Sequence, residues 1–237
     1  MNETGTAILA SNLMDDKNLL QYLAKNRITV ISKSVINTKE SILPTLENIK
    51  PEFLFLSSVL PGVVGLVEII GKVKQLSPRT KIILVVSSGT LESVVEYILV
   101  GTDAIIYFEN LSDYLEHALK QLLKGQLFLC GISSNQIKTD LLKHKTEIQS
   151  DTALLDMLTD REVEVLYSLT QGINYKQIAK LLFISESTVK THINNIFTKL
   201  NVNDRTRAVL YALHHGIDSL IRKPNLLQNI TNVTINS

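Results

Sequence analysis

Between Thr6 and Gly125 short β-branched runs alternate with helix-like stretches, and this alternation restricts the fold more than any other feature of the chain. The runs TAILA, ITVIS, FLFLS, KIILVV and AIIYF are each followed by a helical pattern, among them GLVEIIGKVKQL and LSDYLEHALKQLLK. Short strands that return through helices pair in parallel, and the helices bury their apolar stripes on the two faces of the sheet. The pattern predicts an α/β domain over residues 1–125 with a doubly wound, parallel, five-stranded sheet of flavodoxin-like type.

After Gly125 the rhythm stops. The stretch LFLCGISSNQIKTDLLKHKTEIQSDTALLDM is mixed and polar, and residues 126–151 read as a linker with room for one helix. From Thr159 the pattern is helical throughout. Thr159 and Glu162 have the spacing of a capping box, and Gly172 suits a left-handed stop after LYSLTQG. A short helix follows over YKQIAKLLF, Ser185 caps the next, and Asn203 is placed to cap a last helix that ends at Gly216. These elements define an all-α domain of four helices over residues 152–217, followed by a loose tail at 218–237.

The third helical segment carries the most specific pattern. In SESTVKTHINNIFTKL the residues Val189, Ile193, Ile196 and Leu200 fall on one narrow stripe, and Ser187, Thr191, Asn194 and Thr198 repeat the spacing on the opposite side. The preceding helix, a turn at Ile184 and this second helix have the layout of a helix-turn-helix over Asn174 to Ile193, with small Ala179 at the crossing. Composition excludes a general attraction to polyanions, since the formal net charge of the 237 residues is +1. One cysteine, Cys130, allows no internal disulfide, and no Cys/His cluster has ligand spacing, so neither metal nor cofactor is expected. The start has no basic region leading into a long apolar run, and the apolar stretch 53–70 is broken by Ser57, Ser58, Pro61, Gly62, Gly65 and Glu68. No membrane association is expected.

On the residues LTDREVEVL, Gly172, KQIA, STVKTH, KL and NDRTRAV, the segment 152–217 resembles the DNA-binding domain of the LuxR/NarL type. It departs from the family at Tyr175, where Asn is usual, and at Gln177, where Glu is usual. The resemblance implies that Lys190, Thr191 and Asn194 read bases, while Lys176, Ser187, Thr188, His192, Lys199 and Arg205 hold phosphates. It also implies a homodimer formed through the last helix, with Val209, Leu210 and Leu213 in the contact, and double-stranded DNA as partner. RNA polymerase or a regulatory protein is the further partner implied. Seven Lys and Arg face six Asp and Glu over 152–217, so useful affinity calls for two copies on two half-sites.

The first domain looks like the receiver domain of a two-component response regulator, on PEFLFLSSVLPG and GTDAIIYF especially. Receivers use acidic residues after the first strand for Mg²⁺, an Asp after the third as phosphoryl acceptor, a hydroxyl after the fourth and a Lys after the fifth. Here Ser11 and Asn12, Ser57, Val86 and Phe108 occupy those positions, and Asp15 and Asp16 suit the first turn of the following helix. Ser57 thus marks a degenerate phosphorylation position in a CheY-like pseudo-receiver. No nucleophile elbow surrounds Ser57 and Ser58, His117 lies in a helix pattern, and there is neither GxGxxG nor a P-loop, so no enzyme is expected.

These readings converge on a sequence-specific, DNA-binding transcription regulator that is independent of aspartyl phosphorylation. Two other readings stay open at the level of sequence, a response regulator still controlled by phosphorylation and a protein-interaction adaptor that does not touch DNA. The Asn-, Ile- and Lys-rich usage suits a bacterial cytoplasm or a plastid stroma, and the resemblance extends to plastid-encoded and cyanobacterial-type members.

Overall fold

The computed structural model describes residues 5–10, 17–36, 39–58, 65–87, 93–147 and 157–217. The expected tail at 218–237 and the positions Ser11, Asn12, Asp15 and Asp16 lie outside them. The chain divides into two compact units after Gln136. The first contains β1 (Thr6–Ala10), α1 (Lys17–Lys25), β2 (Thr29–Ile36), α2 (Lys39–Asn48), β3 (Phe53–Ser57) and α3 (Leu66–Leu76). It continues through β4 (Lys81–Val86), α4 (Val94–Leu99), β5 (Ala104–Tyr107), a 3₁₀ turn at Phe108–Asn110, α5 (Leu111–Leu123) and β6 (Phe128–Cys130). Helix α6 (Ser134–Glu147) begins before the division and ends after it.

All strands run parallel in the order β2-β1-β3-β4-β5-β6. Every residue of β3 is buried, as are Ile82 to Val86 of β4, because helices cover both faces of a sheet whose strands return through crossovers. Leu66, Ile69, Ile70 and Val73 form the inward stripe of α3, and Leu111, Leu115, Ala118, Leu119 and Leu122 that of α5. One ion pair ties the lower ends of these layers together. Lys74 Nζ lies 2.6 Å from Asp103 Oδ2 and also donates to the carbonyl of Thr80 at 2.8 Å. The same Asp103 oxygen accepts the backbone N–H of Ile82 at 2.9 Å, so the starts of β4 and β5 share one buried carboxylate.

The sheet has six strands where the sequence pattern predicts five. The sixth, β6, comes from the stretch assigned to the linker and pairs with β5 from Ala104↔Phe128 to Ile106↔Cys130. Three edge residues, two half-exposed and Cys130 buried, are too few to display a two-residue period, which is why LFLC does not read as a strand. Its docking depends on Gly131 at φ +80°, where a Cβ would overlap the Tyr107 ring. Helix α6 also falls within the stretch assigned to the linker, which left room for one helix.

The second unit is built from α7 (Asp160–Thr170), α8 (Tyr175–Leu181), α9 (Glu186–Lys199) and α10 (Arg205–His214). Their core contains Val165, Leu166, Ile178, Val189, Ile196 and Ala208, each with no exposed surface. The expected caps at Thr159 and Ser185 are present, and Gly172 has φ +78°. The last helix is capped by Asp204, whose Oδ1 accepts from the Arg207 backbone at 2.8 Å, and not by Asn203. Asn203 instead accepts from Arg207 Nη1 at 2.6 Å. Either residue type caps well, and the choice falls to the one whose N3 amide it can reach.

Charged side chains lock these helices to one another. Glu162 Oε2 accepts from the Thr159 amide at 2.8 Å and from Lys199 Nζ at 2.6 Å, joining the first turn of α7 to the last turn of α9. Arg161 bonds Glu164 at 2.6 Å through one nitrogen and the carbonyl of Leu182 through the other, joining α7 to the end of α8. Arg205 donates to the carbonyls of Leu169 at 3.4 Å and Ile173 at 3.1 Å, and its guanidinium lies 5.8 Å from the centre of the Tyr175 ring. α10 is thereby joined to the segment that leads into α8.

Burial pushes the Glu162 carboxyl up, but the Lys199 hydrogen bond, the Thr159 bonds and the Lys199 charge outweigh it and hold the group below its ordinary value of 4.5. A lowered folded-state pKa stabilises the fold above the ordinary value, and that contribution is lost as pH falls through the lowered one. Glu162→Gln is expected to cost about 1–3 kcal/mol at neutral pH. Thermal unfolding of both proteins should show the gap in midpoint narrowing as the pH is lowered to about 3.

Candidate nucleic-acid interface

Helix α9 has two sides of different chemistry. Val189, Ile193, Ile196 and Leu200 are buried to 0, 3, 0 and 3% exposure. Ser187, Thr188, Lys190, Thr191, Asn194 and Thr198 are all exposed on the remaining surface. Ser185 starts the helix by accepting the Thr188 amide at 3.0 Å, and its Oγ lies 2.6 Å from that of Ser187 and 2.8 Å from Thr188 Oγ1. This leaves a cluster of hydroxyls and free N–H groups at the positive end of the helix dipole, a favourable place for a phosphate. Glu186 beside it stabilises the helix but repels an anion, so Lys190 one turn later is the first cation that helps.

The expected base readers are brought together. Lys190, Thr191 and Asn194 share the outward side of α9, and Asn194 presents an amide suited to a bidentate pair with adenine. Thr191 Oγ1 donates back to the Ser187 carbonyl at 3.1 Å, which occupies its hydroxyl and leaves the methyl as its outward group. Asn195 is equally exposed and was not singled out by the sequence, since it falls outside the four-residue spacing. Among the expected phosphate holders, Lys176, Ser187 and Thr188 are exposed and His192 is half-buried.

Lys199 and Arg205 are placed differently from the expectation. Lys199 is half-buried against Glu162, and Arg205 is turned onto backbone carbonyls and Tyr175. Both groups are held inside the unit by partners far away in sequence. With Arg161 and Arg207 similarly engaged, the exposed cations of the unit are Lys176, Lys180 and Lys190, which make no ion pair among the described residues. Lys180 was overlooked in the sequence, although it stands one turn beyond Lys176. The two departures from the family pattern both have structural partners. Gln177 Oε1 accepts the Asn174 amide at 3.1 Å while Asn174 accepts that of Gln177 at 2.9 Å, a complete capping box, and Tyr175 receives Arg205.

In the first unit, the three described positions that the sequence matched to receiver chemistry meet at adjoining strand ends. Ser57 closes β3 and is buried, Val86 closes β4, and Phe108 follows β5 at 45% exposure. Ser58 donates its amide to Val85 and accepts the Ser87 amide on its Oγ at 3.3 Å, which knits the ends of β3 and β4. None of the three supplies a carboxylate or an ammonium to that crevice. No group of three or more His, Cys, Asp or Glu suited to a metal occurs among the described residues. No described helix is long and apolar enough to cross a membrane.

The chain is similar to known bacterial regulatory proteins. The model of the luxR family of bacterial regulatory proteins matches residues 156–212. The transcriptional regulatory protein YxjL of Bacillus subtilis is 28% identical over 209 residues, which span 86% of this chain and 95% of that protein. The response regulator VraR of Staphylococcus aureus is 28% identical over 179 residues, spanning 76% and 81%. A solved structure of the response regulator RcsB from Salmonella typhimurium covers 89% of this chain and 98% of its own, with 19% identity and a TM-score of 0.47. Residues 156–212 of the second unit match the luxR family of bacterial regulatory proteins, and over most of its length the chain is similar to response regulators and transcriptional regulatory proteins of bacteria.

Proposed function

We propose that the chain is a transcription regulator that reads duplex DNA through α9 as a dimer and is controlled without aspartyl phosphorylation. The observation that carries the reading is the partition of α9, with its apolar stripe buried and Lys190, Thr191 and Asn194 exposed together. A helix of this kind enters the major groove, where the Asn194 amide pairs with adenine and the Thr191 methyl meets that of thymine. Lys176, Ser187, Thr188 and His192 hold phosphates and set the register. Lys199 holds the end of α9 from within, Arg205 ties α10 to the segment ahead of α8, and Lys180 joins the phosphate contacts. Half-buried Val209 and Leu213, one turn apart on α10, support a contact between two copies. The relatives come from bacteria, and a bacterial cytoplasm gives such a protein access to both DNA and RNA polymerase.

Phosphorylation independence rests on the chemistry at the strand ends. A buried serine, a valine and a phenylalanine neither bind Mg²⁺ nor form an acyl phosphate. Incubation with acetyl phosphate and Mg²⁺ is expected to leave the intact mass unchanged. A stoichiometric phosphoryl adduct would restore a phosphorylation-controlled regulator.

Asn194→Ala is expected to cost about 1–3 kcal/mol at one base position and to relax preference there. Sequencing the genomic fragments retained by the two proteins checks this, and identical preferences would remove Asn194 from the reading. Each of Lys176→Gln, Lys180→Gln and Lys190→Gln should lower the slope of log affinity against log salt by about 0.9 per copy, whereas Lys199→Gln should leave the slope unchanged. Titrations of a labelled duplex at several salt concentrations separate the two groups. A reduced slope for Lys199→Gln would return that lysine to the phosphates.

A further inference from the structure

The helices of the second unit end in the same way, with one exception in residue type. At each stop the backbone turns back on the helix and one residue takes the left-handed conformation. After α7 this residue is Gly172, with Ile173 N–H bonded to the Ser168 carbonyl at 3.2 Å. Asn201 takes it after α9, with Val202 bonded to Phe197 at 2.9 Å, and Gly216 takes it after α10. Glycine and asparagine are the residues that tolerate this backbone. After α8 the same motif is formed by the Phe183 N–H to Lys180 at 3.3 Å and Ile184 N–H to Ala179 at 3.0 Å, and the left-handed residue is Phe183, at φ +53°.

A bulky aromatic residue at positive φ is an outlier, and here the strain brings no packing in return. Ile184 is drawn against the core, while Phe183 is 91% exposed. Two unfavourable features therefore coincide on one residue of the free protein, and both would vanish with glycine. The position explains what could offset them. Phe183 lies in the turn of the helix-turn-helix, two residues before Ser185, the cap of α9 whose hydroxyl cluster marks the end that approaches DNA.

We infer that Phe183 is a DNA contact, packing its ring on the deoxyribose wall beside the groove that α9 enters. The inference rests on the reading of α9 as a DNA-binding helix. A residue ahead of the helix cap stands at the rim of the groove, where the apolar surface on offer is sugar, not base edge. Sugar is the same in every sequence and uncharged, so the ring adds affinity without altering base preference or salt dependence.

The test uses the full chain, a short mixed-sequence duplex and low salt. Phe183→Gly is expected to raise the thermal midpoint or leave it unchanged, because glycine relieves the strain. Its affinity for the duplex should fall by about tenfold, the loss expected from a buried aromatic face, with the salt slope unchanged. Phe183→Asn, which also tolerates this backbone, should behave alike, and Phe183→Leu should recover part of the affinity. Glycine and asparagine variants that bind the duplex as tightly as the parent would overturn the inference and leave the ring to a protein partner or to no contact. A lowered midpoint for both would overturn it too, since the ring would then be part of the packing. Failure of the unaltered protein to bind any duplex would instead defeat the DNA-binding reading itself, so the parent titration keeps the two outcomes apart.

Discussion

A helix can offer a fixed row of polar groups to a partner only when its opposite stripe is buried firmly enough to stop it turning about its axis. In α9 that requirement is met by Val189, Ile193, Ile196 and Leu200. The stripe is narrow, so it leaves most of the circumference for polar side chains, but a narrow stripe alone resists rotation poorly. The two ends are therefore held separately, the first turn by Ser185 and the last by Lys199 in its bond to Glu162. Glu162 also caps α7, which makes one carboxylate common to the start of one helix and the finish of another.

The first unit illustrates how independent a sheet is of the residues at its rim. The register of β3, β4 and β5 is set by interior side chains such as Leu54, Ile83 and Ile105, all fully buried, and by the Lys74 to Asp103 pair at the opposite end. Ser57 and Val86 are the last paired residues of β3 and β4, and Phe108 follows the end of β5. Positions at strand ends can carry different chemistries while the architecture persists.

Much of this was legible in the residues because it is local. Three- and four-residue spacing marks the stripe of α9, the TDRE phrase marks the capping box of α7, and short apolar runs mark β3 and β4. What was not legible depends on partners distant along the chain. Lys199 looks like an outward cation until Glu162, 37 residues earlier, is seen beside it, and Arg205 finds its acceptors 32 and 36 residues back. β6 is a strand only because β5 presents an edge to it, and Asp204 displaced Asn203 as a cap by a single residue of helix phase. Phe183 gave no signal at all in sequence, since its oddity lies in a backbone angle.

The small number of outward cations has a kinetic side. On the proposed reading, a DNA-binding unit whose exposed cations are Lys176, Lys180 and Lys190 is held only loosely by random stretches of chromosome. It leaves them quickly and explores the genome by repeated detachment and landing more than by gliding along one duplex. Few copies are then sequestered on irrelevant sites, so occupancy of a target follows the amount of protein closely.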